Sequence, residues 1–453
     1  MGQRTGKYAI VSCAVLFLVA GCDSGSRTWQ GIELNNDYIT MKVVPEIGGR
    51  VIQYSLGGHD FFWVNKELSG REPPSSGVGP KGEWLNYGGD KIWPAPQGWD
   101  NDEQWPGPPD AVLDGGPYKA EPIESRGQRV GVKLTSMKDV RSGIQFSRSF
   151  RIRNDSSRVS IKATMKNIDT KPRRWGIWAV TQFDASNRAG KGYNKEFYAY
   201  CPLNRESAFD KSYRVIFGMV NNTSWQPDYG KQMMRVNYQH VVGKIGLDSP
   251  DGWVATVDSK AGYAFVHRFE FEPELAYPDG TSVELWSQGL GEFTAWGKVN
   301  KMTDDPKENP YVMETEILSP FASLEPGESY SFSYEWYAAK IPAGACVTSC
   351  NEVGVMCEPL GAKVDGGKLA AQGSFGLFFE GTVDLVFLGQ DGWPIGKVGG
   401  PIEVSPLEAL EIVRILKTVG DVEVPEGAAK LVVNMHDKDT GFIGELGRTE
   451  IVR

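Results

Sequence analysis

Histidine is scarce in this chain. There are four in 453 residues, His59, His240, His267 and His436, and no two stand at a metal-ligand spacing. A histidine-rich metal centre is excluded, and no metal or cofactor is expected. Positive charge is also short, with 48 Lys and Arg against 57 Asp and Glu for a net −9. A nucleic-acid groove needs clustered cations, so nucleic acid is not an expected partner. Long helical periodicity, internal repeats and low-complexity stretches are absent. The longest apolar run, Tyr8 to Ala20, has 13 residues and is too short to span a bilayer. What the chain does have is 54 Gly, 27 Pro, 14 Trp and a hydrophobic share of 40%. That suits one large core plus a smaller one.

Arg4 and Lys7 precede the apolar run with no acid among the first seven residues, the pattern of a secretory signal peptide. The run ends Leu18-Val19-Ala20-Gly21-Cys22, which resembles the lipobox of bacterial lipoproteins. The resemblance implies cleavage before Cys22, diacylglycerol on its sulfur and acylation of the new N-terminus, enough acyl chains to hold a protein on a membrane. Residues 1–21 are then a signal peptide and 22–27 a tether through Ser24-Gly25-Ser26. The expected place is the bacterial cell envelope, facing the periplasm or the exterior. Asp23 resembles the inner-membrane retention signal of some such lipoproteins. Removing Arg4 and Lys7 leaves 46 basic against 57 acidic residues, or about −11. Four further cysteines remain, Cys201, Cys346, Cys350 and Cys357. An even number in an oxidising compartment favours two disulfides, with three connectivities open. The alternative is a four-cysteine zinc site, although the paired close spacing of zinc ribbons is missing.

Strand periodicity dominates the rest. Apolar residues take most even positions in Ile144 to Ile152, and after Asn154-Asp155-Ser156-Ser157 they take the odd ones at Val159, Ile161, Ala163 and Met165, predicting an antiparallel hairpin with one buried face. Similar signals recur at Tyr38 to Val44, Val51 to Leu56, Trp253 to Val257, Tyr263 to Phe269, Ser282 to Trp286, Tyr311 to Leu318 and Tyr330 to Tyr337. Thirteen tryptophans lie between Trp29 and Trp336, and only Trp393 follows. The expected fold is all-β, a large antiparallel sandwich over 28–340 and a small β-sandwich over 360–453, joined by a cysteine-containing linker at 341–359. Ser405 to Leu416 reads equally as helix or strand.

Four Trp fall in the 22 residues from Trp84 to Trp105, among Gly and Pro, which predicts an ordered loop. A sugar ring offers C–H groups to an aromatic face and hydroxyls to bidentate partners. Trp84, Trp93 and Trp99 would supply the face, and Asn86, Asp90, Lys91 and Gln97 the partners. The competing reading is that the Trp plug the end of the sandwich while Asp90 pairs with Lys91 or a backbone amide. The acidic run Asp100 to Glu103 lacks the glycine and distal Glu of an EF-hand loop.

Asp37 to Asn65, with Val44-Pro45-Glu46-Ile47-Gly48-Gly49-Arg50-Val51 and Gly57-Gly58-His59-Asp60-Phe61-Phe62, resembles the opening strands of the galactose mutarotase-like superfamily. The stretches Gly88 to Gln97, Met313 to Pro320 and Glu325 to Ser329 resemble a bacterial lipoprotein family within it, over roughly residues 28 to 340. The resemblance implies a β-supersandwich that binds carbohydrate on one concave face, with Arg50 joining the residues of the 84–105 segment. It also implies a Glu as general base on the anomeric hydroxyl and a His as general acid on the ring oxygen. The base falls on Glu314 or Glu316, with Glu314 slightly favoured. The strand expected to carry the acid reads Trp175 to Gln182 and has no His. His267 is the substitute within reach, although a structural role suits it better. Three readings follow. The lead is a carbohydrate-binding lipoprotein in which aldose-epimerase activity is open. The second is a polysaccharide lyase using Lys91, Arg50 and a Tyr, or a glycosidase using Asp90 with Glu314. The third is a structural envelope protein whose C-terminal domain docks a partner.

Overall fold

The computed structural model describes residues 28–453 apart from 296, 439 and 440. The expected signal peptide, lipidated Cys22 and tether fall outside the described residues. The protein is almost entirely β, as the alternation predicts. An eleven-stranded antiparallel sheet has at its centre Arg50–Leu56, Asp90–Ala95, Arg173–Asp184, Val312–Leu318, Val283–Ser287 and Gly243–Leu247, side by side in that order. A ten-stranded sheet faces it, with Phe197–Pro202, Trp253–Asp258, Tyr263–Phe269, Ser329–Lys340, Val159–Asn167 and Ile144–Ile152 in order. The predicted hairpin forms as read, with Ile152 opposite Val159.

Between the sheets lies the main core. Val51, Ile92, Ile177, Phe183 and Ile317 of the first sheet meet Phe146, Phe150, Ile161, Phe265 and Trp336 of the second. The other face of the second sheet is also apolar, and the C-terminal β domain covers it. Tyr200, Trp253, Val266 and Tyr337 pack there with Val355, Phe375, Val383 and Leu431. The molecule is thus three stacked layers, each interface held by apolar burial.

Several expectations change. Residues 84–105 are not all loop, because Asp90–Ala95 is a buried strand of the first sheet. It pairs along its length with Gly176 to Thr181 but meets Arg50–Leu56 only at Val51 opposite Asp90. A strand with one continuous ladder is where a sheet tolerates a proline such as Pro94. The stretch 341–359 holds Ser349–Cys350 and the first half of Gly354–Asp365. Ser405 to Leu416 contains both elements, the strand Ala409–Glu411 running into the helix Ile412–Val419. The expected disulfides are absent, since Cys201, Cys346, Cys350 and Cys357 are all free thiols. Position explains this for Cys201. Cys201 faces the main core, whereas Cys350 and Cys357 belong to the core on the far side of the second sheet.

Candidate functional site

The first sheet has a second face, turned away from the core, and alternation decides which residues it carries. Along Arg173–Asp184, Thr181 points inward to His267, while Trp178 and Gln182 point outward to Glu316 and Glu314. Along Val312–Leu318, Thr315 points inward to the same His267, which leaves Glu314 and Glu316 outward. Register then aligns neighbours across three more strands. Lys91 lies opposite Val180, Glu284 opposite Glu316, and Trp286 opposite both Glu314 and Lys244.

The outward side chains form a dense charged cluster. Lys244 Nζ sits 2.6 Å from Glu284 and 2.8 Å from Glu316, and 4.4 Å from the centre of the Trp178 ring. Trp178 Nε1 donates to Glu316 Oε2 at 2.7 Å. Gln182 donates to Glu314 Oε1 at 2.6 Å, and Lys91 Nζ approaches that oxygen at 3.5 Å. Lys91 also lies 4.9 Å from the centre of the Trp93 ring. Beside them Asp114 collects three donors: Arg50 at 2.5 Å, Trp84 Nε1 at 2.8 Å and Trp93 Nε1 at 3.1 Å.

The two strand-mates differ in environment. The Glu316 side chain is fully covered while that of Glu314 is 14% exposed. Burial, reinforced by Glu284 and Glu314, raises Glu316 to about 8 against the pull of Lys244. Its Oε2 already accepts two donors, and its buried Oε1 has no partner. The upward shift favours the protonated form of Glu316, opposed by its contact with Lys244. Burial pushes Lys91 down, and Arg50 adds to this while Glu314 opposes it. Burial works against the charge on Lys244 too, but Glu284 and Glu316 outweigh it.

Of the residues singled out in the sequence, Glu314, Glu316, Lys91, Trp93, Trp84 and Arg50 come together on this face. Gln97 borders a small cleft beside Trp178 and Lys244, about 40 Å³ in volume, with Ile216, Phe217 and Asp279 opposite. Asn86 stays in the loop, where it accepts from the Gly88 amide. Trp99 is 59% exposed and binds no part of the cluster. Asp90 and His267 are corrections. Asp90 is fully buried on the core side, bonded to Arg148 and, at 2.8 Å, to Thr181. It therefore pairs with neither Lys91 nor a sugar, and the sheet separates it from Glu314, which removes that glycosidase pair. His267 lies in the same interior, within 3.0 Å of Thr181 and 3.3 Å of Thr315. Burial lowers it to about 3. It is a neutral structural histidine with no route to the outer face.

Sequence reasoning missed Trp178, Gln182, Lys244, Glu284 and Asp114. A signal existed for the first four: each is a polar or aromatic residue alternating with apolar ones on a strand, as in Val283-Glu284-Leu285-Trp286 and Gly243-Lys244-Ile245. Asp114 lies in irregular chain and had none. Among the described residues, no cluster of His, Cys, Asp and Glu is arranged to hold a metal ion.

A larger cleft, about 1080 Å³, opens on the same side of the sheet beyond Gln182. Its wall includes Trp63, Asp184, Arg188 and Tyr311.

The chain belongs to the family described as Domain of unknown function (DUF4380), which matches residues 29–339. Among solved structures it is similar to the Slr1438 protein from Synechocystis sp. PCC 6803, at 12% identity over 69% of this chain and 96% of that one, with a TM-score of 0.42. It is similar too to a galactose mutarotase related enzyme from Lactobacillus acidophilus, at 10% identity over 68% and 96% with a TM-score of 0.41. A galactose mutarotase-like protein from Lactobacillus casei ATCC 334 gives 10% identity over 68% and 100%, with a TM-score of 0.41.

Proposed function

We propose that this is a lipid-anchored envelope protein that binds carbohydrate on the outer face of its first sheet and interconverts the anomers of a reducing sugar there. The observation that carries the reading is the pair Glu314 and Glu316, two residues apart on one strand, one partly exposed and held by two donors, the other buried with one oxygen unpartnered and its pKa pushed up by burial. Two carboxyl groups in such different surroundings suit opposite proton-transfer roles. Glu314 takes the proton of the anomeric hydroxyl. The bond from the anomeric carbon to the ring oxygen breaks, and the ring oxygen receives the Glu316 proton. Rotation about the open chain and the reverse transfers close the ring as the other anomer and restore both carboxyl groups. Glu316 thus fills the acid role for which the strand has no histidine. Lys244 and Trp178 hold its other oxygen, and Lys91 sits where it can steady the developing oxyanion. The small cleft admits two or three waters, so a ring must displace Ile216 and Phe217 of its wall, on the strand Arg214–Gly218 at the edge of the first sheet, as it enters.

Proton NMR of the purified protein with a panel of aldoses and uronic acids tests this by saturation transfer to the sugar and by exchange between anomers. Glu314→Gln and Glu316→Gln should each slow exchange by about 10²–10⁴-fold with binding retained. Exchange should also fall as pH rises through about 8, where Glu316 loses its proton. Exchange untouched by both substitutions, or no saturation transfer to any sugar, overturns the proposal.

A further inference from the structure

We infer that the natural ligand is the end of an extended glycan rather than a free monosaccharide, with the following sugar units lying in the large cleft beside the carboxylate pair. The inference rests on the reading of the outer face as a sugar site. The first support is continuity. Outward residues of Arg173–Asp184 alternate as Trp178, Val180, Gln182 and Asp184. Gln182 holds Glu314, and Asp184, the next outward residue and about 7 Å further along, lines the large cleft. The amide of Trp63 donates to the Gln182 carbonyl at 2.9 Å, which brings Trp63, a residue of the cleft wall, beside the strand that holds Glu314.

Size is the second support. The cleft holds about 1080 Å³, at the upper end of small-ligand pockets, against about 40 Å³ beside Lys244. A monosaccharide would leave most of it empty. Chemistry is the third. Trp63 is half-buried in the wall and has no stacked ring neighbour among the described residues. Trp63 and Tyr311 border the cleft together. Around them stand Gln53, Asn65, Asp184 and Arg188. An aromatic face ringed by amides, carboxylates and a guanidinium is what successive sugar rings require, C–H faces stacked and hydroxyls paired.

Isothermal titration decides between the alternatives. The probes are glucose with cellohexaose, and galacturonic acid with hexagalacturonate. The hexamer should bind at least ten-fold more tightly than its monomer in one of the two series. Trp63→Ala should reduce that hexamer-to-monomer ratio about ten-fold, and Trp63→Phe should restore much of it. Trp393→Ala, an exposed position in the C-terminal domain, serves as the control and should leave the ratio alone. Equal affinity for monomer and hexamer in both series, or a ratio that survives Trp63→Ala, overturns the extended-glycan inference. The two proposals fail separately: length-dependent binding lost in Trp63→Ala, with anomer exchange indifferent to Glu314→Gln and Glu316→Gln, would keep the cleft and discard the chemistry. Anomer exchange sensitive to both Glu substitutions, with no gain from length, would do the reverse.

Discussion

Asp90 and Lys91 are neighbours in the chain and opposites in the fold, one in the interior with Arg148 and the other outward near Glu314. Reading their segment as a loop marked both as polar partners for a ligand, and only the strand's alternation separates them. The sequence displays the residue types of the site well, but which side of a sheet each one takes depends on register that no local pattern reveals. Titration gives the two faces opposite signatures. His267 falls from its ordinary 6.5 to about 3 on folding because burial disfavours its charge. Its contribution to stability is therefore present above pH 6.5 and lost as pH falls from there towards 3. Urea unfolding should lose about 5 kcal/mol across that window from this group, and His267→Gln should flatten the slope. Glu316 runs the other way. Its folded value is raised from 4.5 to about 8, so its contribution is full below pH 4.5 and lost as pH rises through about 8. Glu316→Gln should make the protein less sensitive to alkali in the same measurement.

Strands were the most legible elements. Ile39–Val44, Tyr263–Phe269 and Val312–Leu318 lie where alternation put them, because a strand whose two faces meet different surroundings writes its period into the sequence. Trp253–Asp258 is fully buried and was legible. Asp90–Ala95, as fully buried, escaped because Pro and Gly surround it. Its entry depends on Gly88 and Gly89, both at positive φ. A Cβ at Gly89 would come within 2.2 Å of the Val51 carbonyl oxygen, and one at Gly88 within 2.4 Å of that of Trp63. Backbone cannot yield as a flexible side chain can. Gly89→Ala should therefore cost about 2–4 kcal/mol, seen as a lower Tm, and should weaken sugar binding by displacing Lys91 and Trp93.

At the scale of the whole molecule, the change in composition after Trp336 marked the C-terminal domain, whereas its packing against the second sheet was invisible in sequence. That contact buries Tyr200, Trp253, Val266 and Tyr337. A chain ending at Lys340 should expose them as one apolar patch and aggregate on size-exclusion chromatography. The free thiols follow the layering. Cys346 is exposed while Cys201 and Cys357 are buried, so a maleimide should label Cys346 in the native protein and reach the other two only after denaturation. The interior network has a mechanical consequence. Apolar faces attract without direction and would let one sheet glide over the other, but Arg148 to Asp90 and His267 to Thr181 and Thr315 are directional bonds from sheet to sheet. They act as a rivet against shear. Since Thr315 stands between Glu314 and Glu316, the stiffness of the carboxylate pair is set from beneath, and loosening the rivet would blur the spacing of two groups it never touches.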